Sequence, residues 1–185
     1  MTISTNAKKL NGHAVINELT LNTLHVENRS GQENRFYPEQ LPAFANEPTR
    51  DRFAINHINN GVGEGVVSLG HIEPGEIVFT CTGFFSPDVT LFSLQITPEL
   101  HLHDPYFYGK LLHSCDPNSY VDLNTRTFIA LKAINPGDFI TIDYARTEDY
   151  LFRTFPCSCG AEHCRGVVAG RLQLPALTRQ AQSGR

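Results

Sequence analysis

Residues 112–118 read Leu-His-Ser-Cys-Asp-Pro-Asn and residues 157–166 read Cys-Ser-Cys-Gly-Ala-Glu-His-Cys-Arg-Gly, so four of the chain's five cysteines fall in two short stretches. Thiolates at positions 157, 159 and 164 can turn around one ion, because Gly160 permits a tight bend, but a closed structural zinc site wants four ligands. Cys115 is the natural fourth. The alternative gives that position to His163 or water and leaves Cys115 as a small buried hydrophobe. An odd number of cysteines leaves no complete disulfide pairing, and in a reducing compartment such a cluster more often holds a metal. Cys81 is flanked by strand-like residues and reads as an inert core thiol.

Outward from these stretches, the 185 residues are 41% hydrophobic and 18% charged, enough apolar surface for one well-buried domain with short appendages. A net charge of −4 excludes a global positive field that would draw the chain onto nucleic acid or anionic lipid. No apolar run approaches the roughly 18 residues of a membrane helix, and the opening MTISTNAKKLNGHAV lacks the apolar stretch of a signal peptide. The expected location is the cytoplasm, with no membrane partner.

Short apolar runs recur between Gly and Pro: Phe53 to Ile55, Gly65 to Leu69, Ile77 to Phe84, Val89 to Ile96, Phe128 to Leu131 and Phe139 to Ile142. Each has strand length, and IEPGE (72–76) and INPGD (134–138) are turn signals. Helix candidates are few: a short one over Pro105 to Leu112 and a turn at Glu148 to Phe152. The reading is a mostly β chain. His101-Leu-His103 has a strand-like i, i+2 spacing that would suit a metal but reads rather as two histidines on a polar strand face, and the stretch Pro105 to Tyr108 suits core packing or a groove wall.

Four patterns in order, Gly61-Val-Gly-Glu-Gly65 followed by IEPGE, then LHSCDPN, PGDFITIDY ending at Tyr144, and CSCGAEHCRG, resemble a SET domain with its post-SET cysteine motif, the architecture of protein-lysine methyltransferases. The resemblance runs from about Phe53 to Gly166. It implies several small β-sheets, a threaded, knot-like C-terminal crossing of the His113 to Asn118 segment with the turn at Tyr144, and a post-SET zinc loop. The chain then divides into a partly strand-forming flank (1–50), the SET domain (51–150), the zinc motif (151–170) and a flexible tail (171–185).

The resemblance also implies site residues. Cys115 joins Cys157, Cys159 and Cys164 on Zn2+. Val62, Gly63 and Glu64 wrap the methionine portion of S-adenosylmethionine, and His113 sits near its adenine. Leu112 occupies a cofactor-contacting position where the family has asparagine, so an amide hydrogen bond worth about 1.5–3 kcal/mol is lost. Cys81 stands where many relatives have a tyrosine. Tyr144 is the catalytic candidate, a phenol that orients the amine; the alternative is a structural tyrosine whose hydroxyl reaches a backbone carbonyl. Ile142, two residues earlier, lacks a hydroxyl to hold water against the amine and points to multiple methylation.

The expected activity is S-adenosylmethionine-dependent N-methylation of protein lysine. A SET-like binding module without turnover, or a small-molecule amine methyltransferase, are the alternatives. The expected partner is a protein substrate or small amine, without direct nucleic-acid contact, and short exposed strand edges are compatible with a homodimer.

Overall fold

Frequent Gly and Pro punctuation keeps the strands short, and among the described residues of the computed structural model, 33–58 and 63–176, twelve form. They are β1 (Phe53–Ile58), β2 (Gly63–Ser68), β3 (Ile77–Thr80), β4 (Phe84–Ser86), β5 (Ser93–Thr97) and β6 (Leu100–His103). There follow β7 (Leu112–His113), β8 (Ser119–Asp122), β9 (Thr127–Ala130), β10 (Thr141–Ile142), β11 (Phe155–Pro156) and β12 (Val167–Val168). The expected mostly β architecture of several small sheets is what the structure shows. Antiparallel β1–β2 and β11–β12 are two-stranded, β3–β9–β8 and β4–β6–β5 are three-stranded, and β7 pairs with β10 in parallel.

The two Pro-Gly turns have a shared job. Gly75 and Gly137 adopt φ of 87° and 90°, which lets each chain reverse without a Cβ clash. Ile72 and Ile134, at the head of each turn, then exchange backbone hydrogen bonds of 2.9 Å in both directions. The turns therefore lie side by side and bring β3 and β10 into one framework. No helix among the described residues is long and apolar enough to cross a membrane.

Aromatic packing joins the sheets. Phe79 of β3 stacks on Phe128 of β9 at 4.4 Å and meets Phe107 edge-on at 4.9 Å, and Phe107 in turn meets Phe53 of β1 at 5.3 Å. All four are essentially fully buried. Phe107 enters this cluster because the fully buried Asp104 accepts hydrogen bonds from the N–H groups of Tyr106, Phe107 and Tyr108 and from the Tyr37 hydroxyl.

The helix expected over Pro105 to Leu112 is a single 3-10 turn, Tyr108–Lys110. Asp104 satisfies the first amides of the segment, and the turn ends where Leu111 is extended, at φ −65° and ψ 143°. The turn expected at Glu148 to Phe152 instead forms four residues earlier, as helix α1 (Tyr144–Thr147), capped by Asp143 accepting from the Ala145 N–H. Beyond β12, Arg171 pairs with Asp149, and Gln173 Oε1 accepts from the N–H groups of Leu151 and Gly170.

Truncating the ring shared by these packing contacts, Phe79→Ala, should cost about 3–5 kcal/mol of folding free energy, read as a lowered urea midpoint.

Candidate active site and metal centre

The β11–β12 hairpin closes the base of the C-terminal cysteine loop, and Gly160 and Gly166 turn it at φ of 72° and 73°. The consequence is that Cys157, Cys159, Cys164 and Cys115 bring their sulfurs within 4.8 Å of one another. A tetrahedron with Zn–S bonds of about 2.3 Å has sulfur–sulfur edges of about 3.8 Å, and the Cys115–Cys157 edge is 3.9 Å. The donor set therefore fits a closed zinc site. His163 is exposed and outside the cluster, so Cys115 takes the fourth position.

Backbone amides complete this centre. Cys115 N–H points at Cys159 Sγ (3.5 Å), Arg165 N–H at Cys115 Sγ (3.4 Å) and Gly166 N–H at Cys164 Sγ (3.4 Å). The first of these holds the Cys159 thiol below its ordinary range, which favours the thiolate a metal requires.

Arg165 does more than end the loop. Its guanidinium embraces both carboxylate oxygens of Asp143, one at 3.0 Å and the other closer. Asp143 caps α1, so the pair couples the cysteine loop to the helix that begins with Tyr144. His113 lies between them. Tyr144 N–H donates to its Nδ1 (3.3 Å), and Nε2 lies 3.4 Å from Cys115 Sγ and 3.5 Å from the Arg165 guanidinium. Burial pushes the His113 pKa down to about 4, so the ring is neutral at pH 7.

A cavity of about 930 Å³ opens beside this centre, within the range of roughly 300–1,000 Å³ usual for small-ligand sites. Gly63, Glu64, Lys110, His113, Tyr144 and Glu148 are among its walls, and Leu112 lines it too. Lys110 ion-pairs with Glu64 and holds that carboxyl below the usual range. The Tyr144 hydroxyl donates to the Leu111 carbonyl at 2.5 Å, which is the contact expected of a structural tyrosine. It leaves the phenolic oxygen's acceptor capacity intact at the cavity wall, and burial raises the phenol's pKa, so it stays neutral.

Val62 lies outside the described residues. Cys81 is buried at 1% exposure in the core and does not line the cavity, so a phenol is not missing from the wall at that position. Ile142 also faces the core, at 2% exposure, while its neighbour Thr141 lines the cavity. Strand alternation makes the two point oppositely.

Glu148 was hidden in the sequence behind its position in a polar stretch. It is 3% exposed, and both carboxylate oxygens accept the Gln95 N–H, at 3.1 and 3.2 Å. Gln95 also exchanges two bonds with Asp149: Nε2 to Oδ2 at 2.7 Å, and Asp149 N–H to Oε1 at 2.6 Å. The usable signal was its i, i+4 spacing from Tyr144, which puts both side chains on one side of a helical turn.

No family model matches the chain. Over 97 residues it is 29% identical to a protein of Aspergillus flavus named methyltransferase flvH, covering 51% of this chain and 54% of that one. Over 75 residues it is 35% identical to the histone-lysine N-methyltransferase ash1 of Drosophila melanogaster, covering 35% of this chain and 3% of that one. Among solved structures it resembles KRYPTONITE in complex with mCHG DNA and SAH, with a TM-score of 0.52 and 26% identity over 63% of this chain and 29% of that one. The methyltransferase domain of human SETMAR has the same fold, with a TM-score of 0.52 at 18% identity, covering 64% of this chain and 58% of that one. The matched segments thus span about half of the Aspergillus protein and a small part of the Drosophila one.

Purified protein should carry about one zinc per chain by elemental analysis, and Cys115→Ser should lower both zinc content and thermal stability. A second outcome follows from Glu148, whose pKa burial pushes up to about 7. A carboxyl raised in the folded state contributes fully below its unfolded pKa, near 4.3, and that contribution is lost as pH rises through the folded value. Urea titration should therefore find Glu148→Gln more stable than the wild type at pH 8, by on the order of 2–3 kcal/mol, and equal to it near pH 4.

Proposed function

We propose that this chain, a SET-domain relative of the histone-lysine methyltransferases, is an S-adenosylmethionine-dependent N-methyltransferase acting on protein lysine. The observation that carries the reading is one cavity whose wall holds the neutral phenol of Tyr144 together with Gly63, Glu64 and His113. S-adenosylmethionine would supply a sulfonium methyl for in-line transfer to an amine.

The chain's part is chiefly alignment, which can be worth on the order of 7–11 kcal/mol when reacting atoms are held close. Tyr144 serves as an acceptor: the Leu111 carbonyl takes its proton, and its oxygen is left to receive an amine N–H or a weak contact from a polarised methyl. Gly63, at φ 97°, has open space where a side chain would stand, which suits close approach of the cofactor's methionine portion. Neutral His113, its ring nearly buried against Tyr144, would shape the wall near the adenine rather than offer a free face to it. Leu112 offers only an aliphatic side chain there, so cofactor affinity rests more heavily on the backbone and on Glu64 and Lys110.

The cysteine centre, with zinc bound, would brace the wall from which His113 and Tyr144 project. The parallel β7–β10 pair supports the threaded crossing as part of this reading. A protein substrate, without direct nucleic-acid contact, is consistent with a net charge of −4.

The test is transfer of labelled methyl from S-adenosylmethionine to core histones, to cell lysate and to free lysine, by wild type and by Tyr144→Phe. Protein-bound label that falls about a hundredfold in the variant is the expected result. Label confined to small molecules would overturn the protein substrate, and equal labelling by both forms would remove Tyr144 from the reaction.

A further inference from the structure

We infer that Glu148 is the binding group for the substrate's ammonium and the acceptor of its proton inside the cavity. This rests on the amine-methyltransferase reading above and names a residue for its least explained step. A lysine side chain with pKa about 10.4 is neutral only about once in 2,500 molecules at pH 7, yet methyl transfer requires the free amine.

The geometry points to Glu148 because of what surrounds it. It is one of two glutamates lining the cavity, and the other, Glu64, is already held by Lys110. Among the described residues Glu148 has no cation within ion-pair distance. A buried carboxylate without a cation is costly, and its two oxygens retain acceptor sites beyond the Gln95 amide and the Thr147 hydroxyl. An ammonium entering the cavity is the missing partner.

Position agrees with this. Glu148 caps the C-terminal end of α1, its N–H bonded to the Tyr144 carbonyl at 2.8 Å, so it stands one turn from the phenol. The groups that bear on its charge are few: the Tyr108 and Tyr144 phenols, which stay neutral, the Thr147 hydroxyl and Gln95 N–H, which donate to it, and Asp149, whose negative charge is taken up by Arg171. With a pKa pushed up to about 7, the carboxyl is a competent proton acceptor at neutral pH. In the step, R–NH3+ and the Glu148 carboxylate give R–NH2 and the Glu148 carboxylic acid. The N–H bonding pair stays on nitrogen as the lone pair that attacks.

Two readouts test it. The first needs no turnover: the Gln95 amide donates to this carboxylate, so its proton–nitrogen NMR signal reports on Glu148. Titration of the full chain with n-butylammonium chloride should move that signal saturably and lower its pH midpoint, whereas 1-butanol should not, and Glu148→Gln should abolish the response. An equal response to 1-butanol, a response that persists in Glu148→Gln, or none to n-butylammonium overturns the inference.

The second is the pH profile of kcat/KM on core histones. The wild type should lose activity on the acid side through about pH 7, and Glu148→Gln, which can still accept the Gln95 N–H, should be about a hundredfold slower with that limb gone. A slower variant that keeps the limb marks a merely structural residue and overturns the inference. Wild type that methylates no amine defeats the methyltransferase reading instead, and the NMR titration still decides for or against Glu148.

Discussion

Convergence of the Cys115 sulfur with the three sulfurs of the C-terminal loop is the constraint on which the rest of the site depends. Sequence separates these thiols by more than forty residues, so closing that loop costs entropy before any local contact repays it. Amides directed at the sulfurs and the Arg165–Asp143 pair supply part of the return, and an ion bound by four thiolates would supply most of it. Because Cys115 lies two residues after His113 and Asp143 one before Tyr144, the same convergence sets both cavity residues. With an ion bound, metal binding, folding of the wall and placement of the phenol would be coupled.

A second fixed point is Asp104, whose neighbours Tyr108 to Lys110 line the cavity. Buried Asp104 gathers three backbone amides and the Tyr37 hydroxyl, and in doing so turns Phe107 into the aromatic core and leaves Lys110 at the cavity wall. The core and the site are thus positioned by one carboxylate whose charge is dispersed over four donors. A core of interlocked rings is stiff on the scale of a methyl group, which is the tolerance that in-line transfer demands.

What could be read from sequence divides along physical lines. Cysteine spacing, the Pro-Gly turns and the apolar runs are local signals, and they foretold the mostly β architecture, the four-sulfur cluster and most strand positions. Two-residue strands such as β7 and β10 carry no period of their own and exist only because distant segments pair. The helix expected over Pro105 to Leu112 is cut to one turn because Leu111 is extended and leads into β7, whose pairing with distant β10 a local propensity does not register. Arg165, read from sequence only as a cap of the cysteine loop, and Glu148, read only as the start of a turn, share a reason: the meaning of each lies in a partner, Asp143 or Gln95, that is far away in the chain. Ile142 shows the converse error, since a sequence position next to the site does not say which face of the strand is the site.

Glu148 also departs from the rule that local choices in a folded chain support one another. The Gln95 N–H needs an acceptor, and a neutral amide oxygen would meet that need without placing a titratable charge in a dry wall. Gln95 and Asp149 already join β5 to the segment after α1 through two bonds of their own, so the carboxylate is not required for that junction either. Its charge is destabilising to the empty fold at neutral pH, a cost that the ammonium proposed above would offset. A lysine ammonium is the cation that the proposed reaction would bring there.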